Sequence, residues 1–355
     1  MSPWLFTAAV HAGALLLVAA AIWLVVRVVL RVPLISITLA VTLLLTALVS
    51  PTASRMRAVG MPAALAAAVS LAVLVGVPAG IMFLIWTQVS GRFSELVASV
   101  TDAIDEIREY LITGPLSLDQ EQVDRIRNQV VAYIEKAIPE PAVATQMVLQ
   151  FATASVLVAF TVFFLLKDGR SMWAWALERT PAHRRSRLDG AGRRAWLTLT
   201  HYMAGTTVIA ILDAVLIGVG LLVVGVPLWI PLTLLVFLGG FVPLLGATVS
   251  GAVAVLVTLV TAGFTDALIV LAVVLVVQQV EGNLLQPLLM GRAVNLHPVV
   301  TLLSVTTGTL LLGIAGALVA VPVVAVAYRT AEYLRTHPTA QDSSAPSESD
   351  HELKE

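Results

Sequence analysis

Between Gln278 and Pro298 the chain reads QQVEGNLLQPLLMGRAVNLHP, which sets one carboxylate, one guanidinium and several amides between two long apolar runs. On a helix, Gln278 and Glu281 share a face at i, i+3, and Gln279 and Asn283 share another at i, i+4. Pro287 removes a backbone donor, so it stops or kinks that helix and leaves carbonyls that Gln286, Asn283 or a ligand can use. A glutamate at membrane depth is costly unless it lines a polar cavity or is paired. Two chemistries therefore stand. In one, Glu281 with Gln278, Asn283 and Gln286 lines a polar transport pathway and binds a proton or cation. In the other, Glu281 pairs with Arg292, or is hydrogen-bonded, only to fix two helix ends. His297 is a second possible counterweight to the carboxylate. Asp213 is a further acid within an apolar run, with Thr206 and Thr207 as polar neighbours along its helix. Asp266 follows a glycine by three positions and reads as a cap for a helix beginning at Ala267.

A second constellation is FVPLLG, Phe241 to Gly246. Proline and glycine inside an apolar segment are accepted where backbone lines a cavity or another helix fills the gap, so Pro243 and Gly246 mark either a gate or a packing kink. The histidines form no metal-ligand pattern, and HExxH is absent. The sequence has no P-loop, Rossmann glycine pattern or GxSxG, so neither ATP hydrolysis nor serine chemistry has support, and no cofactor or enzymatic activity is expected.

Those residues must be positioned by a bundle in lipid. Of 355 residues 58% are hydrophobic and 12% charged, and the mean hydropathy is +0.93, whereas a soluble domain has about a quarter of its residues charged. The lipid bilayer is therefore the first partner. With 21 basic and 22 acidic residues there is no global basic field to attract nucleic acid. Cysteine is absent, which excludes disulfides and thiolate chemistry.

About 20 apolar residues cross a bilayer core as a helix. Trp4 to Val26, Leu34 to Val49 and Met61 to Trp86 are three such runs, making residues 1–87 a membrane unit. In the third, Gly76 and Gly80 flank Pro78 in a small-xxx-small pattern suited to helix packing. Residues 88–147 differ. Gln88 to Gln146 carries ten acidic and five basic residues, yet Leu96, Val100, Ile104, Ile107 and Leu111 recur at helical spacing, as do Val123, Ile126, Val130, Ile134 and Ile138. Gly114 and Pro115 separate the two stripes, and Ser117 with Gln120 forms a capping box, so an external amphipathic helical hairpin is expected.

Residues 148–336 form the transport core. Val148 to Leu166 is a span leading into a basic helix at 167–200, with eight basic residues against three acidic ones. Short basic loops stay in the cytoplasm, which puts this segment inside and the acidic hairpin outside. Spans follow at Thr206 to Val224, Ala267 to Val277 and Val299 to Ala327. Between them Leu228 to Thr261 is too long for one straight crossing and is broken by Gly239, Gly240, Pro243 and Gly246. The tail 337–355 is polar, rich in Ser, Pro and acids, and reads as disordered. Eight crossings place both termini in the cytoplasm, although Arg27 and Arg31 then fall on the external side.

Four segments carry a resemblance. FFLLKDG (Phe163 to Gly169), VPLLG (Val242 to Gly246), the run from Gln278 to Val305, and GIAGALVAVPVVA (Gly313 to Ala325) together resemble the autoinducer-2 exporter family of bacterial membrane proteins. The order and spacing agree from about Val148 to Arg329. The resemblance implies about eight spans and homo-oligomers, and an activity among exporters of autoinducer-2, small-molecule permeases and sodium/proton antiporters. It carries over Pro243, Gly246, Glu281, Asn283, Pro287, Gly291, Arg292, His297, Pro298, Gly313 and Gly316; of these, Pro243, Gly246, Pro287, Gly313 and Gly316 are the expected helix breaks or gates. Gly205-Thr206 and Leu244-Leu245 depart from the family's usual residues.

The expectation is thus an all-α polytopic protein of the bacterial inner membrane with broken or re-entrant helices. It exports a small polar solute, with cation/proton antiport as the alternative and a non-transporting scaffold as the third reading.

Overall fold

The computed structural model describes residues 32–90, 141–242, 245–285 and 296–337, together with Gly13, Arg27, Arg31 and Leu288. The first expected span, the amphipathic hairpin with its capping box, the tail, and Pro243, Gln286, Pro287, Gly291 and Arg292 lie outside the described residues.

The protein is all-α and polytopic. Among the described residues the elements are α1 (Pro33–Ala58), α2 (Ala63–Ser90), α3 (Pro141–Glu178), α4 (Ala182–Val224), α5 (Trp229–Gly239), α6 (Leu245–Ala262), α7 (Phe264–Val280) with a π-helical turn at Glu281–Leu285, and α8 (Pro298–Thr336). Six of these helices are long and apolar enough to cross a membrane; α5 and α6 are shorter.

The helices run past the apolar cores that composition marks. α1 continues beyond Val49 to Ala58 with Pro51 inside it, and its last turn carries Arg55 and Arg57, where cations complement the helix dipole. The basic stretch is not one helix. α3 extends through Leu166 to Glu178, the chain turns at Arg179 to Pro181, and α4 restarts at Ala182 and enters the membrane without interruption. Several bonds tie these basic ends together. The Trp173 indole donates to Asp189 at 3.0 Å, Asp189 also pairs with Arg193, Arg187 donates to the Leu334 carbonyl, and Arg57 donates to the Leu166 carbonyl.

α4 is the spine of the bundle. Its buried face includes Tyr202, Thr206, Ile209, Ala210, Asp213, Ile217 and Leu221, and it packs against α1, α5, α7 and α8. Toward its C-terminal end, Ile217 and Leu221 join Val236, Ala254, Val270 and Val274 in one core. Toward its middle, Tyr202 and Met203 join Leu44, Ala47, Val305, Ala317 and Val321 in a second. A third core, with Ala53, Ala67 and Val162, holds α1, α2 and α3 together. Small residues allow these approaches where lipid gives no hydrophobic drive to associate. A methyl at Gly218 would lie 2.5 Å from the Thr233 hydroxyl, and one at Gly220 would lie 2.7 Å from Val273.

Two reversals within the membrane-embedded part are closed by glycine pairs. α5 has 11 residues, about 16 Å of helix, too short to cross the roughly 30 Å hydrocarbon core. The chain turns back at once, with Val242 N–H donating to the Gly239 carbonyl at 2.8 Å and Gly246 N–H to the Val242 carbonyl at 2.9 Å. Gly239 and Gly246 then meet backbone to backbone, and the broken region expected between Leu228 and Thr261 is this helical hairpin.

The second reversal is within α8. Gly313 has φ 64° and ψ −148°, a break between two helical arms, 298–312 and 314–336. In a straight helix Gly308 and Gly316 would be about 12 Å apart, yet here their backbones touch, and a methyl at Gly308 would fall 2.7 Å from the Ala320 Cβ. The run Val299 to Ala327 is therefore a folded-back pair rather than a single span.

Candidate functional site

The two hairpins converge on the middle of α4. Gly240, at the tip of the first, lies against Ala210, so close that a Cβ on the glycine would be 2.7 Å from that of the alanine. Phe241 packs into the core that holds Val305 and Ala317 of the second hairpin. Asp213 stands one turn beyond Ala210 on the same side of α4 and is 2% exposed.

The partner of Asp213 is Glu281. Their side chains approach each other where the π-helical turn that ends α7 touches α4. A π turn widens the helix by one residue and re-aims its side chains, a device frequent at functional sites. Two carboxyl groups can hydrogen-bond to each other only when one of them is protonated. One Asp213 oxygen is buried without a hydrogen-bond partner among the described residues, as is the Gln278 side-chain nitrogen one turn from Glu281. Acceptor and donor are thus both available at the site, and buried polar atoms left open in this way call for a ligand, an ion or water.

The residues read from the sequence divide between two faces. Gln278 and Glu281 are half-buried and turn toward α4, whereas Asn283 is exposed. The Asn283 amide donates to the Gln279 side chain at 3.3 Å, the i, i+4 contact that the spacing implies. Both line an outer groove of about 400 Å³ with Leu275, Val276 and Leu284. A larger cavity of about 1500 Å³ lies at the basic end of the bundle, and none of the sequence-derived pathway residues lines it.

Two roles change. His297 is no counterweight to Glu281: its ring nitrogen accepts from the Val299 N–H at 3.3 Å and caps α8. Asp266 is not the cap of α7, because the helix begins at Phe264 with Gly263 before it; the aspartate sits in the first turn, where it complements the helix dipole. Of the expected breaks, Gly246 closes the first hairpin, and Gly313 and Gly316 make the second. Gly76 and Gly80 on α2 have nothing within 4 Å of an added Cβ, so their pattern packs no helix among the described residues. The pairing of Asp213 with Glu281 is what sequence reasoning missed; its one local signal is that Asp213 continues a buried polar stripe with Tyr202 and Thr206.

Residues 13–336 match the model of the AI-2E family transporter. The chain belongs to that family. "Putative transport protein MT0215" from Mycobacterium tuberculosis is 41% identical over 257 residues, covering 70% of this chain and 69% of that protein. "Putative transport protein YrrI" from Bacillus subtilis is 29% identical over 205 residues, 58% of each chain. "AI-2 transport protein TqsA" from Escherichia coli is 33% identical over 130 residues, 37% of this chain and 38% of that one. The AI-2E relationship makes this chain a multi-pass membrane transporter or permease.

Proposed function

We propose that this transporter exports a small polar solute, of the autoinducer-2 type, and that the Asp213–Glu281 pair is its coupling group. The approach of the Asp213 and Glu281 carboxyl groups at the contact of α4 with the π turn carries the reading. It sits where two glycine hairpins and a π turn meet on α4, the arrangement of broken helices that secondary transporters use near the bilayer midplane. One shared proton leaves the pair with a single negative charge, which lowers its cost in that setting. Its release leaves two carboxylates that hydroxyl donors of a polar solute, or a small cation, can satisfy. Transfer of the solute across the bundle is then linked to transfer of the proton. The name of the E. coli relative TqsA supports autoinducer-2 as the model solute.

Cation/proton antiport is the second reading, favoured by the acidic nature of both members of the pair. Two carboxylates freed of their proton are ligands suited to a hard monovalent cation. Further features of the reading are residence in the bacterial inner membrane with the basic end of the bundle in the cytoplasm, and assembly into a homo-oligomer. The open faces at Gly76 and Gly80 on α2 support assembly, because a second helix fits there.

Sealed vesicles containing the purified full chain test the reading. Proton-linked passage of a neutral polyol is the expected result. Sodium-driven proton movement without polyol passage selects antiport, and neither activity leaves the scaffold reading.

A further inference from the structure

The cavity of about 1500 Å³ lies apart from the carboxyl pair, among α1, α3, α4 and the second arm of α8. It exceeds the ~300–1,000 Å³ of pockets that hold drug-sized ligands. It is also elongated. Its wall on α1 runs from Ala40 to Arg57, about 25 Å of helix axis, close to the depth of one membrane leaflet with its headgroups.

Its two ends differ in chemistry. Leu43, Leu44, Val319 and Val323 line the deep end, whereas Arg57, Arg170 and Arg193 face a single carboxylate, Asp189, at the shallow end. Asp189 is already hydrogen-bonded to Arg193 and Trp173. Two buried polar atoms in the lining are also open: Arg57 Nε and Thr330 Oγ1 have no hydrogen-bond partner among the described residues. Arg57 is held in place, because its terminal nitrogen donates to the Leu166 carbonyl. A fixed guanidinium with a spare donor, a second arginine and a hydroxyl make a cradle for phosphate oxygens above an apolar slot.

We infer that this cavity binds one anionic phospholipid of the adjoining leaflet, its phosphate at Arg57, Arg170 and Thr330 and its acyl chains along α1 and the second arm of α8. Basic pockets between membrane helices take such headgroups. The lipid adds to the bonds that already tie the ends of these four helices, Trp173 to Asp189, Arg57 to the Leu166 carbonyl and Arg187 to the Leu334 carbonyl.

The test is native mass spectrometry of the full chain released from micelles containing phosphatidylglycerol and phosphatidylcholine with matched acyl chains. The wild type retains phosphatidylglycerol in preference to phosphatidylcholine. Arg170→Gln, at an exposed position, lowers retained phosphatidylglycerol roughly tenfold, the size of one charge-assisted contact, and leaves phosphatidylcholine unchanged. Val323→Trp fills the slot and lowers both. Equal retention of the two lipids overturns the inference, as does indifference to both substitutions. Displacement of the lipid by millimolar inorganic phosphate also overturns it, since that marks a small-anion site.

Discussion

Gly240 lies against Ala210, one helical turn before Asp213, so the tip of the α5–α6 hairpin rests on the part of α4 that carries this buried carboxylate. The backbone there is right-handed, and the glycine is required for closeness rather than for its conformation. Gly240→Ala puts a methyl 2.7 Å from the Ala210 Cβ. Overpacking of that kind costs about 1–3 kcal/mol. The variant is expected to melt earlier and transport more slowly, and Ala210→Gly in the same chain, which removes the Cβ but leaves the Ala210 Cα at 2.9 Å, is expected to restore both in part. A thermal melt in detergent with a vesicle assay on all three variants measures the coupling.

Gly313 and Gly316 serve the second hairpin in different ways, so their alanine variants should differ. An added Cβ at Gly313 meets nothing within 4 Å, and the whole cost of Gly313→Ala lies in its φ of 64° and ψ of −148°, about 1–3 kcal/mol. Gly316→Ala instead drives a methyl into the Gly308 backbone. It should open the hairpin and remove transport even if the protein inserts. Melting temperatures and the vesicle assay distinguish the two outcomes.

His297 is expected to act by capping alone. His297→Ala loses the bond to the Val299 N–H and about 1 kcal/mol of stability, whereas His297→Asn keeps an acceptor there and should be near neutral. Transport by the asparagine variant should show the same dependence on pH as wild type. A shifted pH profile would instead make the imidazole part of the proton path.

Gly76→Ala and Gly80→Ala address assembly. Each removes a helix-interior glycine beside which an added Cβ meets nothing within 4 Å among the described residues, so the protomer should gain up to about 1 kcal/mol. The oligomer should weaken if a second copy packs on that face. Oligomer mass measured across a dilution series reads the effect directly.

The architecture was legible where composition changes along the chain. The basic stretch, the long region from Leu228 to Thr261 and its glycines announced membrane helices and the first reversal. The reversal in α8 was hidden for a physical reason: Val299 to Ala327 has no polar residue larger than serine or threonine, and glycine is accepted in an ordinary membrane helix, so nothing separates one long span from two arms. The site was legible by halves. Helical spacing gives the neighbours of Glu281 along its own helix, and the Gln279–Asn283 bond follows from it. Spacing carries no information about which helix packs opposite, so the Asp213 partner had no sequence signature. His297 misled because an imidazole near a carboxylate in sequence reads as its counterion, while the orphan N–H groups at a helix start are satisfied first.

The most direct measurement of the account is proton-linked solute efflux from vesicles containing wild type, Asp213→Asn, Glu281→Gln and the double variant. Both amides can keep a hydrogen bond between the two positions, so the variants should insert and melt close to wild type. Each single change is expected to lower coupled efflux by at least about tenfold, and the double change should do no worse than the poorer single, because the two groups act as one unit. Wild-type coupled efflux from either correctly inserted single variant would contradict the assignment of the Asp213–Glu281 pair.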